Sequence, residues 1–329
     1  MRLWVRKIWQ YLLPLFLGAF VFYWVYRDFD FYQAWHVMLH EMKWGWMLFS
    51  LLFGVLAPLF RGLRWKQLLD PIAVNDVRTT DCIDSIYLTY AVNLVLPRAG
   101  EITRCGLLAR YDNVPFSKSL GTVVTERLID VFTMLLFSAL IFLLQMPVFL
   151  GFFQTTGTKL TSLQHLLVSP WTYVSLFCMA GVLILMYRLS KRLPWHDKIR
   201  GLAEAVAEGL FSVGGVRNKC LFWLYTFLIW FSYFLHFYIA FFCFGFSEHL
   251  GIMAALVMFV AGTFAVIVPT PNGAGPWHFA VITMMMLYGT GAEDASTFAL
   301  LVHGVQTVLV ILLGVYGWVS ISFREHCLY

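Results

Sequence analysis

The chain has 329 residues, of which 60% are hydrophobic, 18% aromatic and 12% charged, with a formal net charge of +5. A soluble domain carries about 25% charged residues. The composition therefore excludes an ordinary soluble enzyme or a nucleic-acid-binding module and indicates an integral membrane protein, all-α and polytopic.

Read in chain order, apolar runs approach the roughly 20 residues that a spanning helix needs at Ile8 to Tyr26, Trp44 to Phe60, Gly121 to Gln145, Trp171 to Tyr187, Cys220 to Phe244 and Ser296 to Val319. The first follows the basic stretch "MRLWVRK" but ends in "YWVYRDFD" without a small-residue cleavage site, so it reads as an uncleaved span. Six full spans are expected within one membrane domain, 1–329.

Basic residues accumulate on the cytoplasmic side of a membrane. With the N-terminus inside, all of the 23 Lys and Arg fall on the inner side except Arg27, Lys43, Lys159 and Arg127, the last lying near a span end. That distribution predicts N-in, C-in. It also requires that 81–118 and 251–289 each return to the side they entered from. Each has a helix-breaking centre, "VLPRAGE" and "VPTPNGAGP", and reads as a re-entrant hairpin, the two entering from opposite sides as in an inverted repeat. The competing reading is ordinary helices joined by tight turns. Between the fourth and fifth spans, 188–219 is a cytoplasmic connection that places Ile199, Leu202, Val206 and Leu210 on one helical face, suited to the membrane surface or to a plain connector.

Ionisable residues inside a membrane need a partner or a wet cavity. In the first hairpin Arg98, Glu101 and Arg104 follow Pro97 at three-residue spacing, so Glu101 can pair with either arginine, and a helix restarting there would seat a phosphate. At the start of the third span Glu126 and Asp130 share a helical face beside Arg127, and an arginine such as Arg98 or Arg104 would satisfy them. For both groups the alternative is charge that anchors at the interface. The second hairpin is broken by Pro269, Pro271, Asn272, Gly273, Gly275 and Pro276, whose amides can hold an oxyanion, and His278 can exchange protons or be hydrogen-bonded in the turn. His236, His303 and Gln306 read as interhelical hydrogen-bonding groups, with His303 and Gln306 also candidates for lining a cavity. The six cysteines show no metal-ligand or redox spacing and read as small packed residues; no cofactor or metal is expected. Nucleotide-binding loops, HExxH and GxSxG are absent from the sequence.

"NLVLPRAGEITR", then "TERLID", then "PTPNGAG" together resemble the lysylphosphatidylglycerol synthase transmembrane region family, flippase-like integral membrane proteins that include the N-terminal membrane domain of the multiple peptide resistance factor. The resemblance covers nearly the whole chain. It implies a multi-pass protein of the bacterial inner membrane that moves lipids, with aminoacylated phosphatidylglycerol the best-known cargo and polyprenyl-linked sugars proposed for relatives. It does not imply a synthase, because the transferase of the multiple peptide resistance factor is a separate soluble domain.

Carried over by position, Asn93, Pro97, Arg98, Gly100, Glu101 and Arg104 match the first motif, Glu126, Arg127 and Asp130 the second, and Pro271, Gly273 and Gly275 the third. Where the family commonly has a glutamate after the last glycines, this chain has "GAGPWH", with Trp277 and His278. The expected function is a flippase for lipids with phosphate headgroups, acting alone, as a homo-oligomer or beside a separate lipid-modifying enzyme. The rival readings are an intramembrane transferase with Glu101 or Asp130 as base, and a noncatalytic partner in cell-envelope assembly.

Overall fold

The computed structural model describes residues 16, 18–27, 29–73, 76–146 and 211–326, with 170, 174, 177, 201, 204 and 207–209 between them. The span expected at Trp171 to Tyr187 except residues 174 and 177, more than half of the 188–219 connection and half of the first span lie outside the described residues.

Residues 18–26 are helical. α1 (Phe31–His36) follows, its N-terminal amides of Tyr32 and Gln33 capped by the Asp30 carboxylate at 2.8 and 3.2 Å. Next come α2 (Trp44–Leu69), α3 (Thr79–Val95), α4 (Ala99–Tyr111) and α5 (Phe116–Leu144). After the gap lie α6 (Lys219–Ile239), α7 (Ile252–Ala265), α8 (Pro276–Leu287) and α9 (Ala292–His326). Among the described residues four helices are long and apolar enough to cross a membrane: α2, α5, α6 with its extension to Cys243, and α9 up to Phe323. Each coincides with an expected span. α5 turns Leu128, Phe132, Leu135, Leu136 and Leu143 outward, the apolar exterior that lipid-facing helices present.

α2 runs nine residues past its expected end at Phe60, because "RGLRWKQLL" folds as helix with its arginines turned inward. α2 lies along α6, and α9 along α3. The pairs α3/α4 and α7/α8 are the two helix–break–helix hairpins. One apolar core gathers Phe237, Phe241, Phe298, Val281, Ala255 and Met285; a second gathers Trp65, Leu68, Cys82, Ile86, Cys105 and Leu108. Cys82, Cys105 and Cys243 are buried as expected of packed residues, whereas Cys220 at the start of α6 is exposed.

The first hairpin closes at its base through Asp112, the C-cap of α4, whose Oδ1 accepts the Arg78 amide at 3.4 Å. Burial pushes this carboxyl up to about 6, with repulsion from Asp81 adding to the shift. A raised folded-state value means that the fold favours the protonated acid. The group therefore destabilises increasingly as pH climbs from about 4 to 6, and the penalty is complete above that window. Asp112→Asn is expected to raise stability by about 1–3 kcal/mol at pH 7.5 and to change little at pH 4. Thermal melts at the two pH values check this, and a gain confined to pH 4 would reverse the sign.

Candidate functional site

A long apolar helix rarely carries charge, and α5 carries three charged residues in two turns. Glu126 is fully buried and Asp130 nearly so, on one face, with Arg127 beside them. Two carboxylates one turn apart repel, and burial makes each costly without a cation. Three other helix-borne arginines converge on them. From α2, Arg61 Nη1 donates to Glu126 Oε1 at 2.6 Å and Asp130 Oδ2 at 2.5 Å, and Arg64 Nη2 donates to Asp130 Oδ1 at 2.7 Å. From α4, Arg104 Nη1 donates to Glu126 Oε2 at 3.0 Å, its guanidinium lying 4.4 Å from the centre of the Trp65 ring. Arg127 Nη2 donates to Glu126 Oε1 at 3.0 Å, its side chain 44% exposed at the rim. Arg64 also reaches Thr226 of α6 at 3.2 Å, and Trp65 Nε1 donates to Thr122 at 2.9 Å. The network thus staples α2, α4, α5 and α6 together.

The turn of the first hairpin is built differently from the expectation. Asn93, in the last turn of α3, accepts the Gly100 amide at 2.9 Å and donates to Glu101 Oε2 at 3.4 Å. Glu101 therefore pairs with Asn93 and not with Arg98 or Arg104, and the Gly100 amide is spent inside the turn. Pro97 ends α3's run, and Arg98 adopts the left-handed conformation with φ 65°. The Arg98 guanidinium crosses to the second hairpin and donates to the Ile267 carbonyl at 3.3 Å.

The second turn is likewise self-satisfied. The Gly273, Ala274 and Gly275 amides donate to Thr270 O, Pro271 O and His278 Nδ1. These amides are occupied, unlike the free oxyanion donors expected. Asn272, Gly273 and Gly275 all have positive φ, which glycine tolerates at no steric cost. Asn272 is held to α9 through its Nδ2, 3.2 Å from Thr307 Oγ1, and its carbonyl, 3.2 Å from His303 Nε2. His278 is buried between Trp277, His303, Phe22 and Tyr26, its ring 4.5 Å from that of His303.

Against the second hairpin, among α6, α7, α8 and α9, lies a cavity of about 240 Å³ lined by Trp230, Tyr233, His236, Phe259, Trp277 and Gln306. A smaller one of about 90 Å³ shares Tyr233, His236 and Gln306 and adds Tyr90 and Asn272. The Tyr90 and Tyr233 hydroxyls stand 2.5 Å apart, and Arg61 lies against Tyr233. The tyrosine pair therefore connects cavity and charge network.

The structure brings Arg104, Glu126, Arg127 and Asp130 into one site. It places Asn93, Pro97, Arg98, Gly100 and Glu101 at one turn and Pro271, Asn272, Gly273, Gly275 and His278 at the other, the turns joined through Arg98. Arg61 and Arg64 escaped sequence reasoning as site residues, since a span ended at its first charge assigns them to a loop. The readable signal was their three-residue spacing on a continuing helix. Comparison with curated proteins and with solved structures finds no match. The family described as Lysylphosphatidylglycerol synthase TM region matches residues 11–314, nearly the whole chain. With its apolar helices and this match, the protein is a multi-pass membrane protein related to lipid handling and belongs to the lysylphosphatidylglycerol synthase TM region family.

Proposed function

We propose that the protein is a flippase that moves a lipid with a phosphate-bearing headgroup between the leaflets of the bacterial inner membrane. The observation that carries this reading is a buried arginine network joined through Tyr90 and Tyr233 to a cavity that is lined by Tyr90 of the first hairpin and Asn272 of the second. Moving a charged headgroup through hydrocarbon is the expensive step, and a charged, partly wet path lowers it. The re-entrant reading of the hairpins draws support from their lengths. α3, α4, α7 and α8 have 17, 13, 14 and 12 residues. At 1.5 Å per residue these reach about 18–26 Å, short of a hydrocarbon core of about 30 Å. Their non-helical turns would then meet at membrane depth, buried against protein.

The transferase reading needs a free base, whereas both Asp130 oxygens accept from Arg61 and Arg64, and Glu101 accepts from Asn93. Transport is therefore favoured. In proteoliposomes containing a labelled anionic lipid, the protein is expected to expose inner-leaflet label to an external quencher at least tenfold faster than protein-free vesicles. Arg104→Ala is expected to remove most of that rate. A rate equal to that of empty vesicles overturns the reading, and a chemically altered lipid points to the transferase.

A further inference from the structure

Lipid transport leaves the charge of the headgroup open, and the buried network narrows it. Arg61, Arg64, Arg104 and Arg127 supply four positive charges, and among the described residues only Glu126 and Asp130 stand within ion-pair reach of them. The excess is two positive charges, with Arg127 at the rim of the cluster. An uncompensated charge in a low-dielectric site is costly, so the arrangement calls for an anion.

A second observation points the same way. Nε of Arg61, Arg64 and Arg104, and Nη2 of Arg104, are buried N–H donors without an acceptor among the described residues. Native structures seldom leave such donors unpaired. Arg61 and Arg104 grip opposite oxygens of one carboxylate, and Arg64 shares Asp130 with Arg61, so the three guanidiniums that carry the spare donors belong to one cluster. Guanidinium groups match tetrahedral oxyanions that offer several acceptor oxygens.

We infer that Arg61, Arg64, Arg104 and Arg127 form a site for a dianionic phosphate, a monoester or diphosphate headgroup, in preference to a phosphodiester or an aminoacylated headgroup. A monoester carries about −1.5 to −2 at pH 7, which matches the excess. A diester carries one negative charge, and an attached amine cancels that. Glu126 and Asp130 keep the guanidiniums from flying apart when no phosphate is present. The Tyr90–Tyr233 pair lines the cavity, and Tyr233 lies against Arg61, so the pair is the polar link between cavity and network on that side. The inference rests on the lipid-transport reading for the tail and on the charge count for the headgroup.

The test measures binding to the purified chain in nanodiscs with three probes: inorganic phosphate, dodecyl phosphate as the monoester and dodecyl methyl phosphate as the diester. At pH 8 the monoester is expected to bind at least tenfold more tightly than the diester, a preference that shrinks below about pH 6 as the monoester gains its second proton. Arg127→Gln, at the rim, is expected to weaken the monoester about tenfold, the loss of one charge-assisted contact. Asp130→Asn, which raises the excess charge, is expected to tighten it. A network that is only structural would not gain affinity from losing a carboxylate. Competition by inorganic phosphate identifies phosphate itself as the ligand, and monoester binding without such competition identifies a lipid as the source; either outcome supports the site. Equal affinity for monoester and diester, or indifference to both variants, overturns it. Selective binding without lipid scrambling would leave the site standing and remove transport. Scrambling that ignores headgroup charge would do the reverse.

Discussion

Replacing Glu126 by alanine is expected to cost the fold about 3–5 kcal/mol, the scale for removing one partner of a buried ion network. Glu126 is the acid that Arg61, Arg104 and Arg127 share, and the buried Arg61 and Arg104 have no exposed surface that offers water in exchange, unlike Arg127 at the rim. Its loss would leave Asp130 facing all the positive charge and would free Arg104 from its carboxylate partner. The effects of Glu126→Ala and Arg104→Ala should accordingly be far from additive, the second change adding about 1 kcal/mol or less once the first is made. Tryptophan-fluorescence melts in detergent, run on both single variants and the double, measure the coupling. Additive losses would mean that the two residues stabilise the protein independently, against the geometry.

Why the network was only half visible beforehand is a matter of what spacing can and cannot encode. Glu126 and Asp130 at i, i+4 inside an apolar run announce a missing cation, and Arg104 proved to be one such partner. Arg61 and Arg64 were hidden by a rule that is sound on average: a spanning segment ends where charge begins. Here α2 continues as helix for two more turns past its first arginine, and the carboxylates of α5 compensate the buried charge. Glu101 fails in the other direction. Its spacing permits pairing with Arg98 or Arg104, but Asn93 arrives from α3 by a tertiary contact that no local pattern displays. The apolar helices themselves were legible because hydropathy and length suffice for them, whereas turn amides are consumed by bonds within each turn that sequence does not disclose.

Two glycines on α4 give the sharpest remaining test, since the same substitution should act with opposite sign six residues apart. A Cβ at Gly100 would stand 2.3 Å from the Thr89 carbonyl oxygen and 2.8 Å from its Cα, all backbone atoms that no rotamer change can move. Gly100→Ala must therefore push α4 away from α3, at a cost of about 3 kcal/mol, the upper end for overpacking. Arg104 lies one turn further along α4, so the same displacement draws its guanidinium off Glu126 and should remove the proposed lipid transport together with stability. At Gly106 nothing lies within 4 Å of the added carbon. There alanine replaces the residue with the greatest backbone freedom inside a helix, and Gly106→Ala is expected to stabilise by about 0.5–1 kcal/mol with transport unchanged. Thermal melts and scrambling rates on the two variants decide the matter. Equal behaviour at both positions would mean that α4 does not dock on α3 through Gly100, and that Arg104 is not positioned by the closure of the first hairpin.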